Sequence, residues 1–242
     1  MSQSRNLTVR ETEVIRILRV LTEVTDGFVL IGEYAVNAYV QHRFSVDCDL
    51  ATNRNNTPVI DTALLREGYE QWKGRFKPPI GVTMRVYRKS VAGLPVSVDL
   101  FVNTVASRRT RGTWTYKFIQ ENSVEVIVVV ATDSTPSRVA HRNLLVAMKL
   151  HSGRTQDLAD VVMMSERVDW ETVARYAACG SRKLLTEQVD SAIKEISSAR
   201  FVSDVKSSFA MRGDPTLLIK RAKLGLQTLR TLVTREKFKD SL

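Results

Sequence analysis

A short apolar run that ends at a glycine, followed by two aspartates in alternate positions, constrains the fold of this chain more than any other feature. The run is Phe28–Ile31, Gly32 follows it, and Asp47 and Asp49 stand in the stretch Ser-Val-Asp-Cys-Asp-Leu. This pattern predicts a buried strand, a tight turn into a helix, and a second strand. Because the side chains of a strand alternate between its faces, we expect Asp47 and Asp49 to point to the same side.

Paired carboxylates beside a glycine turn indicate a particular chemistry. Two like charges on one strand face repel each other, so the pair costs free energy unless a cation lies between them. Carboxylate oxygens favour Mg²⁺, which takes one or two of them and completes its shell with water and phosphate oxygens. Gly32 lets backbone N–H groups approach an anion, and the start of the next helix adds a partial positive charge. These residues predict a phosphate-binding turn beside a magnesium site, although Gly32 taken alone is also typical of a plain tight turn.

A third aspartate, Asp99, stands among apolar residues in a later predicted strand, 95–102. One interpretation is a polar residue at the solvated end of an antiparallel strand. The other is a third carboxylate beside Asp47 and Asp49. Three acidic side chains on adjoining strands can hold two metal ions, which would activate an attacking hydroxyl and stabilise a leaving pyrophosphate.

Composition limits the class of protein. A chain of 242 residues has room for one large domain or two smaller ones with a full core. The net charge of +10 favours polyanionic partners such as nucleic acid, although a solvated basic surface explains it equally well. Cys48 and Cys179 are far apart in the sequence and indicate neither a disulfide scaffold nor a zinc site. No apolar run approaches the roughly 18 residues of a membrane helix, and no signal peptide is evident. We therefore expect a cytoplasmic protein with no membrane partner.

Hydrophobic periodicity and turn residues predict the remaining elements. Helices are expected at 8–25, 33–41, 61–67, 139–151, from 155 onward, 170–178, 182–198 and 215–238. Strands are expected at 28–31, 43–50, 69–72, 82–88, 95–102, 116–119 and 125–130. The last strand is nearly all Val and Ile, which favours burial on both faces. Thr8 and Glu11 match a capping box for the first helix, and Pro136 stands near a predicted helix start. We expect one domain at 1–135 and a helical one at 136–242.

The ordered set of glycine turn, Asp-x-Asp and later aspartate resembles the nucleotidyltransferase superfamily, whose minimal palm is shared with DNA polymerase β. The residues that carry the resemblance are Gly32, Glu33, Arg43, Ser45, Asp47, Asp49 and Asp99. An arginine four residues ahead of the first aspartate is most similar to the abortive-infection (AbiEii-like) toxin branch, where the run reads Arg-x-Thr-x-Asp-x-Asp. That branch also has a helical lysine, an arginine and acidic residues downstream, which match Lys149, Arg154, Asp157 and Asp160.

The resemblance, which spans about residues 28–165, implies an α/β palm with a mixed sheet and flanking helices, followed by an α-helical C-terminal bundle. It implies an enzyme that transfers a nucleoside monophosphate from a nucleoside triphosphate such as ATP to a hydroxyl, with release of pyrophosphate. The acceptor would be tRNA or another RNA, a protein or a small molecule. The protein would then be the toxin of a toxin–antitoxin pair, with an antitoxin protein as partner.

The resemblance also implies a role for each residue of the site. Asp47, Asp49 and Asp99 would be catalytic and would hold two Mg²⁺ ions, or Mn²⁺ in their place. The loop at Gly32 and Glu33 would bind the β- and γ-phosphates. The other nucleotide-binding residues would be Arg43, which orders the carboxylates, Ser45, which keeps the hydroxyl of the motif, and Lys149, which neutralises phosphate charge. We expect Arg154, Asp157 and Asp160 to be supporting residues, with the two aspartates anchoring Arg154 or Lys149.

Glu33 departs from the family pattern, which has a second small residue at this position. Its carboxylate would repel a triphosphate unless it points away and offers only its N–H. If it does not, nucleotide binding is weakened, and the chain is a catalytically degenerate relative that acts as a binding or partner module. Both interpretations are open from the sequence.

An arginine-rich segment follows the strand of Asp99. Arg108, Arg109 and Arg111 are predicted to bind RNA phosphates, with Trp114 or Tyr116 available for base stacking. A solvated hairpin loop is the alternative. The three histidines have no metal-ligand spacing and are assigned no role.

Overall fold

The computed structural model describes residues 2–74, 78–79, 81–130 and 133–235. The chain divides into two compact units. The first comprises Met1–Val105 and Trp114–His141, and the second comprises Ala106–Thr113 and Arg142–Leu242. The second unit thus consists of a main segment that begins at Arg142 and of the short segment Ala106–Thr113. The sequence predicted one helical domain that begins at residue 136.

Strands and helices alternate through the first 140 residues. The helices are α1 (Ser2–Val24), α2 (Gly32–Asn37), α3 (Thr57–Arg66) and α4 (Tyr116–Glu121). The strands are β1 (Phe28–Ile31), β2 (Asp47–Thr52), β3 (Glu70–Gln71), β4 (Thr83–Val91), β5 (Leu94–Val102), β6 (Thr104–Ala106), β7 (Thr113–Thr115), β8 (Ser123–Val129) and β9 (Ser134–Ala140). β6 and β7 pair with each other, and the other strands form one sheet.

The main sheet has the strand order β3-β4-β5-β2-β1-β9-β8 over the described residues. The pairs β2–β5 and β1–β9 are parallel, and the other neighbours are antiparallel. α1 packs against β4, β5 and β9. Buried side chains on one face of the sheet are Leu30, Cys48, Leu50, Val98, Leu100 and Val139. The predicted α/β architecture, with a mixed sheet and flanking helices, is confirmed.

The second unit is helical, as predicted. Its helices are α5 (Arg142–Ser152), α6 (Thr155–Met164), a 3₁₀ turn (Ser165–Arg167), α7 (Trp170–Ala177), α8 (Arg182–Ile196), α9 (Ala199–Ser208) and α10 (Thr216–Thr234). α9 was not predicted, because it follows α8 after only Ser197 and Ser198, and Ser198 caps it by accepting a bond from the N–H of Phe201. The predicted end of the last helix, 236–238, lies outside the described residues. None of the helices in the described ranges is long and apolar enough to cross a bilayer.

Two strand and helix assignments were wrong. Residues 116–119, expected as a strand, form α4, because the Thr115 hydroxyl caps the helix by accepting from the N–H of Phe118. Residues 134–137, expected at a helix start, belong to β9, which pairs with β8 and places Pro136 opposite Ile127. The alternation that marks β9 as a strand was hidden because Thr135 and Ser137, which are polar, occupy buried positions.

Two other expectations also differ from the structure. β8 lies at an edge of the sheet and is not covered on both faces, since Ile127 is 63% exposed. α1 begins at Ser2, so Thr8 and Glu11 lie inside the helix and do not form a capping box. The Glu11 carboxylate is buried, and its Oε1 lies 2.7 Å from His42 Nε2 and accepts a bond of 3.3 Å from the N–H of Ser45.

Candidate active site

The pairing of β2 with β5 brings the three aspartates singled out in the sequence onto one sheet face. In this parallel pair Asp49 lies opposite Asp99, and Asp47 lies opposite Ser97. Partners in register point to the same side, as do alternate residues of one strand. The intervening Cys48 and its partner point to the other face, where Cys48 is fully buried. The three carboxylates therefore lie on one side of two adjacent strands.

Short side chains around Asp47 fix its position. The Ser97 hydroxyl donates a hydrogen bond of 2.7 Å to Asp47 Oδ1. Ser45, expected to bind nucleotide, contacts the backbone of Asp47, since the Asp47 N–H donates to its hydroxyl at 3.4 Å. Both contacts hold the start of β2 in place, and they leave Asp47 exposed at the site.

Gly32 adjoins the Asp49 carboxylate. Ile31 lies opposite Asp49 in the β1–β2 pair, so the turn that follows Ile31 starts beside this residue. Gly32 has φ +70°, a conformation that favours glycine. A Cβ built on Gly32 would lie 2.0 Å from Asp49 Oδ2. Only glycine therefore fits between the end of β1 and the carboxylate.

Glu33 forms a buried ion pair with Arg43. The Arg43 guanidinium contacts Glu33 Oε2, and the two side chains are only 6% and 9% exposed respectively. The Asn37 side chain holds Arg43 further, donating a bond of 2.8 Å to its carbonyl and accepting one of 3.0 Å from its N–H. Glu33 thus does not face outward, which was one of the two expectations for it. Its negative charge is balanced inside the unit by the arginine that was expected to order the aspartates.

The Asp99 side chain is half-buried and lies near a like charge. Burial, and then the negative charge of Asp47, raise the pKa of Asp99 to about 6, while Ser97 and the positive charge of Arg88 act in the opposite direction. Asp99 Oδ1 is buried and has no hydrogen-bond partner in the described part of the chain. A buried carboxylate oxygen of this kind is costly unless a proton or a cation satisfies it.

The donor set fits a magnesium ion, although not as a preformed cage. Among the described residues, no group of three or more His, Cys, Asp or Glu side chains is gathered closely enough to hold a metal as it stands. Mg²⁺ is commonly bound through one or two carboxylates, with water and substrate phosphates completing the octahedron. The adjacent Asp49 and Asp99, with the unsatisfied oxygen of Asp99, match that mode.

Trp72 and Arg88 share the sheet face of the aspartates and were missed in the sequence. Arg88 lies opposite Ser97 in the β4–β5 pair. Its guanidinium carbon is 3.9 Å from the centroid of the Trp72 ring. The alternation of β4 could have placed Arg88 on one face of a strand. No local signal, however, gives the register that puts this face beside Asp99.

Lys149 belongs to the second unit, where two acidic side chains surround it. Its Nζ lies 2.5 Å from Asp160 Oδ2 and 3.2 Å from Asp157 Oδ1. Arg154 Nε donates to Asp157 Oδ2 at 2.7 Å, and the Ser152 hydroxyl donates to the same oxygen. Burial opposes ionisation of Asp157, but these partners outweigh it and hold its pKa at about 2. The phosphate-binding role that the resemblance implies for Lys149 stays a prediction.

The arginine-rich segment is also part of the second unit. Arg109 donates a bond of 2.6 Å to the carbonyl of Gly153, and the buried Thr110 hydroxyl contacts His151 Nδ1. Trp114 and Tyr116 were expected to stack on bases. They are only 3% and 5% exposed, so that expectation was wrong. Their apolar rings are part of the core, whereas Arg108, Arg109 and Arg111 are exposed.

The sheet, its flanking helices and the helices that follow have a nucleotidyltransferase-like fold. A proposed nucleotidyltransferase from H. pylori matches 97% of this chain and 98% of its own, with a TM-score of 0.51 and 16% sequence identity. JHP933 from Helicobacter pylori matches over 94% of this chain and 93% of its own, with a TM-score of 0.49 and 15% identity. No protein-family model matches the sequence, and no curated protein does. At this level of identity, the likeness concerns the fold.

Proposed function

We propose that the protein is a magnesium-dependent nucleotidyltransferase that moves a nucleoside monophosphate from a nucleoside triphosphate to a hydroxyl acceptor. The observation that carries the proposal is the register of β2 on β5, which sets Asp49 beside Asp99. The glycine turn against the Asp49 carboxylate supports it. So does the nucleotidyltransferase-like fold.

Each residue of the site has a step in the proposed reaction. Asp47, Asp49 and Asp99 would hold Mg²⁺, which would neutralise the charge of the phosphates and of the leaving group. Asp99, with its raised pKa, accepts the proton of the acceptor hydroxyl. The acceptor oxygen forms a bond to the α-phosphorus, the bond from that phosphorus to the β-bridging oxygen breaks, and pyrophosphate leaves.

The buried Glu33–Arg43 pair favours this proposal over its alternative. A bare carboxylate in the turn would repel a triphosphate by direct Coulomb interaction. Arg43 offsets that charge within hydrogen-bonding contact of Glu33. The departure from the family pattern at Glu33 therefore need not prevent nucleotide binding.

The finer parts of the proposal derive from the sequence resemblance. They are membership of the AbiEii-like branch, an RNA acceptor such as tRNA, and action as a toxin that an antitoxin protein inhibits. Arg108, Arg109 and Arg111 are the proposed RNA contacts, and Lys149 is the proposed phosphate contact. For the toxin role, expression should arrest growth of a host cell, and Asp47→Asn should relieve the arrest.

A label-transfer assay tests the activity. The purified protein is incubated with each nucleoside triphosphate labelled at the α-phosphate, Mg²⁺, and total tRNA, protein or small hydroxyl acceptors in separate reactions. We expect label on one acceptor class, with loss of transfer in Asp47→Asn and on chelation of Mg²⁺. Asp133→Asn is the matched control, because Asp133 pairs with Arg19 away from the three aspartates. Transfer that survives in Asp47→Asn would contradict the mechanism.

A second candidate is a non-catalytic binding module that keeps the palm without its chemistry. The absence of a preformed three-ligand metal cluster among the described residues favours it. This candidate predicts no label transfer with any triphosphate. It also predicts nucleotide or partner binding that is unchanged in Asp47→Asn.

A further inference from the structure

Trp72 and Arg88 form a stacked pair on the sheet face of the catalytic aspartates. Trp72 directly follows β3, and its N–H donates a bond of 2.8 Å to the carbonyl of Val86. Val86 lies opposite Asp99, which lies opposite Asp49. One row across the sheet therefore contains Trp72, Val86 of β4, Asp99 of β5 and Asp49 of β2. Arg88 lies in the neighbouring row, opposite Ser97.

The row has two distinct ends. The glycine turn at Gly32 adjoins Asp49, on the side of β1. The Trp72–Arg88 pair lies beyond Asp99, on the side of β4 and β3. Neighbouring strands are about 4.8 Å apart, so the backbone of Trp72 lies about 10 Å from that of Asp99. The pair and the phosphate-binding turn thus flank the carboxylates from opposite sides.

The position of Asp99 in the row indicates which end lies next to the triphosphate and which end lies next to the acceptor. If the proposed function holds, the triphosphate lies against Gly32, Asp47 and Asp49, and the acceptor hydroxyl lies against Asp99. The part of the acceptor next to that hydroxyl must then extend across β4. The first cationic side chain that it meets there is Arg88, whose charge already acts on Asp99.

The chemistry of the pair suits a nucleotide unit. The Trp72 ring lies over Gly74, where a built Cβ would lie 1.9 Å from Cζ2, and it is 37% exposed, so one part of the ring remains accessible. Arg88 is exposed and lies over this ring. A guanidinium held by stacking keeps its N–H donors for a phosphate and its outer plane for a base. Aromatic and arginine side chains in this arrangement are typical of single-stranded nucleic-acid sites.

We infer that Trp72 and Arg88 form an acceptor subsite that holds a nucleotide of a single-stranded RNA end next to Asp99. Arg88 binds the phosphate and stacks on the base, and Trp72 is a positioning residue that keeps Arg88 in place. The inference rests on the proposed function for the identity of the Asp99 side as the acceptor side. Glu70 lies opposite Arg88 in the β3–β4 pair, and its negative charge would repel a bound phosphate. Glu70→Gln should therefore strengthen RNA binding.

Binding of a labelled oligouridylate of about ten nucleotides, without triphosphate, tests the subsite directly. We expect Arg88→Ala and Trp72→Ala to weaken binding about tenfold, and Trp72→Phe to keep most of the affinity. Arg88→Lys keeps the positive charge but loses the planar group that stacks on a base. We therefore expect the Arg88→Lys variant to bind the oligouridylate and an abasic strand of the same length with equal affinity. Arg66 is an exposed arginine on α3 and supplies the matched control. Arg66→Ala removes the same charge and should change the affinity for the oligouridylate by less than about twofold.

The transfer assay separates this inference from the proposed function. For an RNA acceptor, Arg88→Ala should raise the KM for RNA and leave the KM for the triphosphate unchanged. Transfer that depends on Asp47 but has the same RNA affinity and KM in Arg88→Ala and Trp72→Ala would overturn the subsite and leave the enzyme proposal intact. RNA binding that depends on Arg88 without any transfer would support nucleotide binding by the pair, but it would overturn the enzyme proposal and with it the acceptor role of the subsite. Transfer to a protein or small molecule alone would overturn the RNA subsite.

Discussion

The ion pair of Glu33 with Arg43 places two charges in a region that water hardly reaches. Removal of one partner from such a pair costs about 3–5 kcal/mol, because the other charge loses its closest counter-charge. We expect Glu33→Gln to lower the free energy of unfolding by this order. Arg43→Met should do the same, and the double variant should recover part of the loss.

Urea unfolding of the two single variants and the double variant measures the coupling, which we expect to be about 1–3 kcal/mol. The matched control is the pair of Arg138 with Glu125, whose atoms are 2.7 Å apart but whose glutamate side chain is 73% exposed. An exposed pair of this kind contributes about 0–1 kcal/mol. Equal coupling in the two cycles would mean that burial does not strengthen the Glu33 pair.

Gly32 and Gly93 allow a second comparison at single positions. Both have positive φ, +70° and +77°, so alanine strains the backbone at each by about 1–3 kcal/mol. A Cβ at Gly93 meets nothing within 4 Å, whereas at Gly32 it meets the Asp49 carboxylate. We expect Gly32→Ala to abolish triphosphate binding and label transfer, and Gly93→Ala to reduce only stability. Calorimetric binding of a triphosphate with Mg²⁺ checks this, and normal binding in Gly32→Ala would contradict it.

For single residues of the candidate site, the sequence predicts those positions that depend on the local periodicity of a strand. The shared face of Asp47 and Asp49 follows from the two-residue repeat of a strand. Their alignment with Asp99 depends on strand pairing across about fifty residues of chain, for which no local signal exists. The same holds for Trp72 and Arg88. Their role depends on the neighbours of β4, and a stacking function was expected instead for Trp114, which packs in the core.

Among the elements, β8 shows why composition misleads about burial. Its run of Val and Ile is typical of a strand covered on both faces, yet it forms an edge of the sheet. Val128 is fully buried, while Ile127 and Val129 on the other face are 63% and 49% exposed. An apolar edge strand of this kind is prone to pair with other chains. The position of a strand in the sheet order is a property of the whole topology, which residue type does not encode.

The two faces of β8 predict different responses to the same substitution. Ile127→Thr should change the free energy of unfolding by less than about 0.5 kcal/mol, because the side chain is largely in solvent. Val128→Thr should cost about 1–3 kcal/mol, because it buries a hydroxyl in nearly the same volume. Chemical denaturation of both variants measures the difference. A larger loss for Ile127→Thr would indicate that a partner covers this face in solution.

For the whole molecule, the order of an α/β part before a helical part was predictable from the change in pattern along the chain. The membership of Ala106–Thr113 in the second unit was not. This segment reads as a polar hairpin loop, and polar contacts link it to the rest of its unit: Thr110 with His151, the Ser107 hydroxyl with the His151 carbonyl, and Arg109 with the Gly153 carbonyl. Buried polar contacts between distant segments leave no periodic trace in a sequence, so only the folded chain reveals them.

The buried His151 gives the stability of the protein a specific pH dependence. Its Nε2 donates to the carbonyl of Ala177 at 2.9 Å. Burial lowers the pKa of His151 to about 4, and the bond to Ala177 acts in the opposite direction. The unfolded chain, with the ordinary value of about 6.5, therefore binds more protons than the folded one between these values. Stability is full above pH 6.5 and falls as the pH drops through this window, by about 3 kcal/mol between pH 7 and pH 4.

Urea unfolding at several pH values in this range, for the wild type and for His151→Gln, isolates the contribution of the imidazole from that of the carboxylates. We expect the variant to be less stable at pH 7 but to lose less stability on acidification. Ser107→Ala is the matched control. It removes a hydroxyl that donates to the backbone carbonyl of His151 and not to its ring, so it should lower stability by about 1–2 kcal/mol at every pH and keep the slope of the wild type. Identical slopes for the wild type and His151→Gln would show that the histidine is not held neutral by the fold, since its protonation would then cost the folded state no more than the unfolded chain.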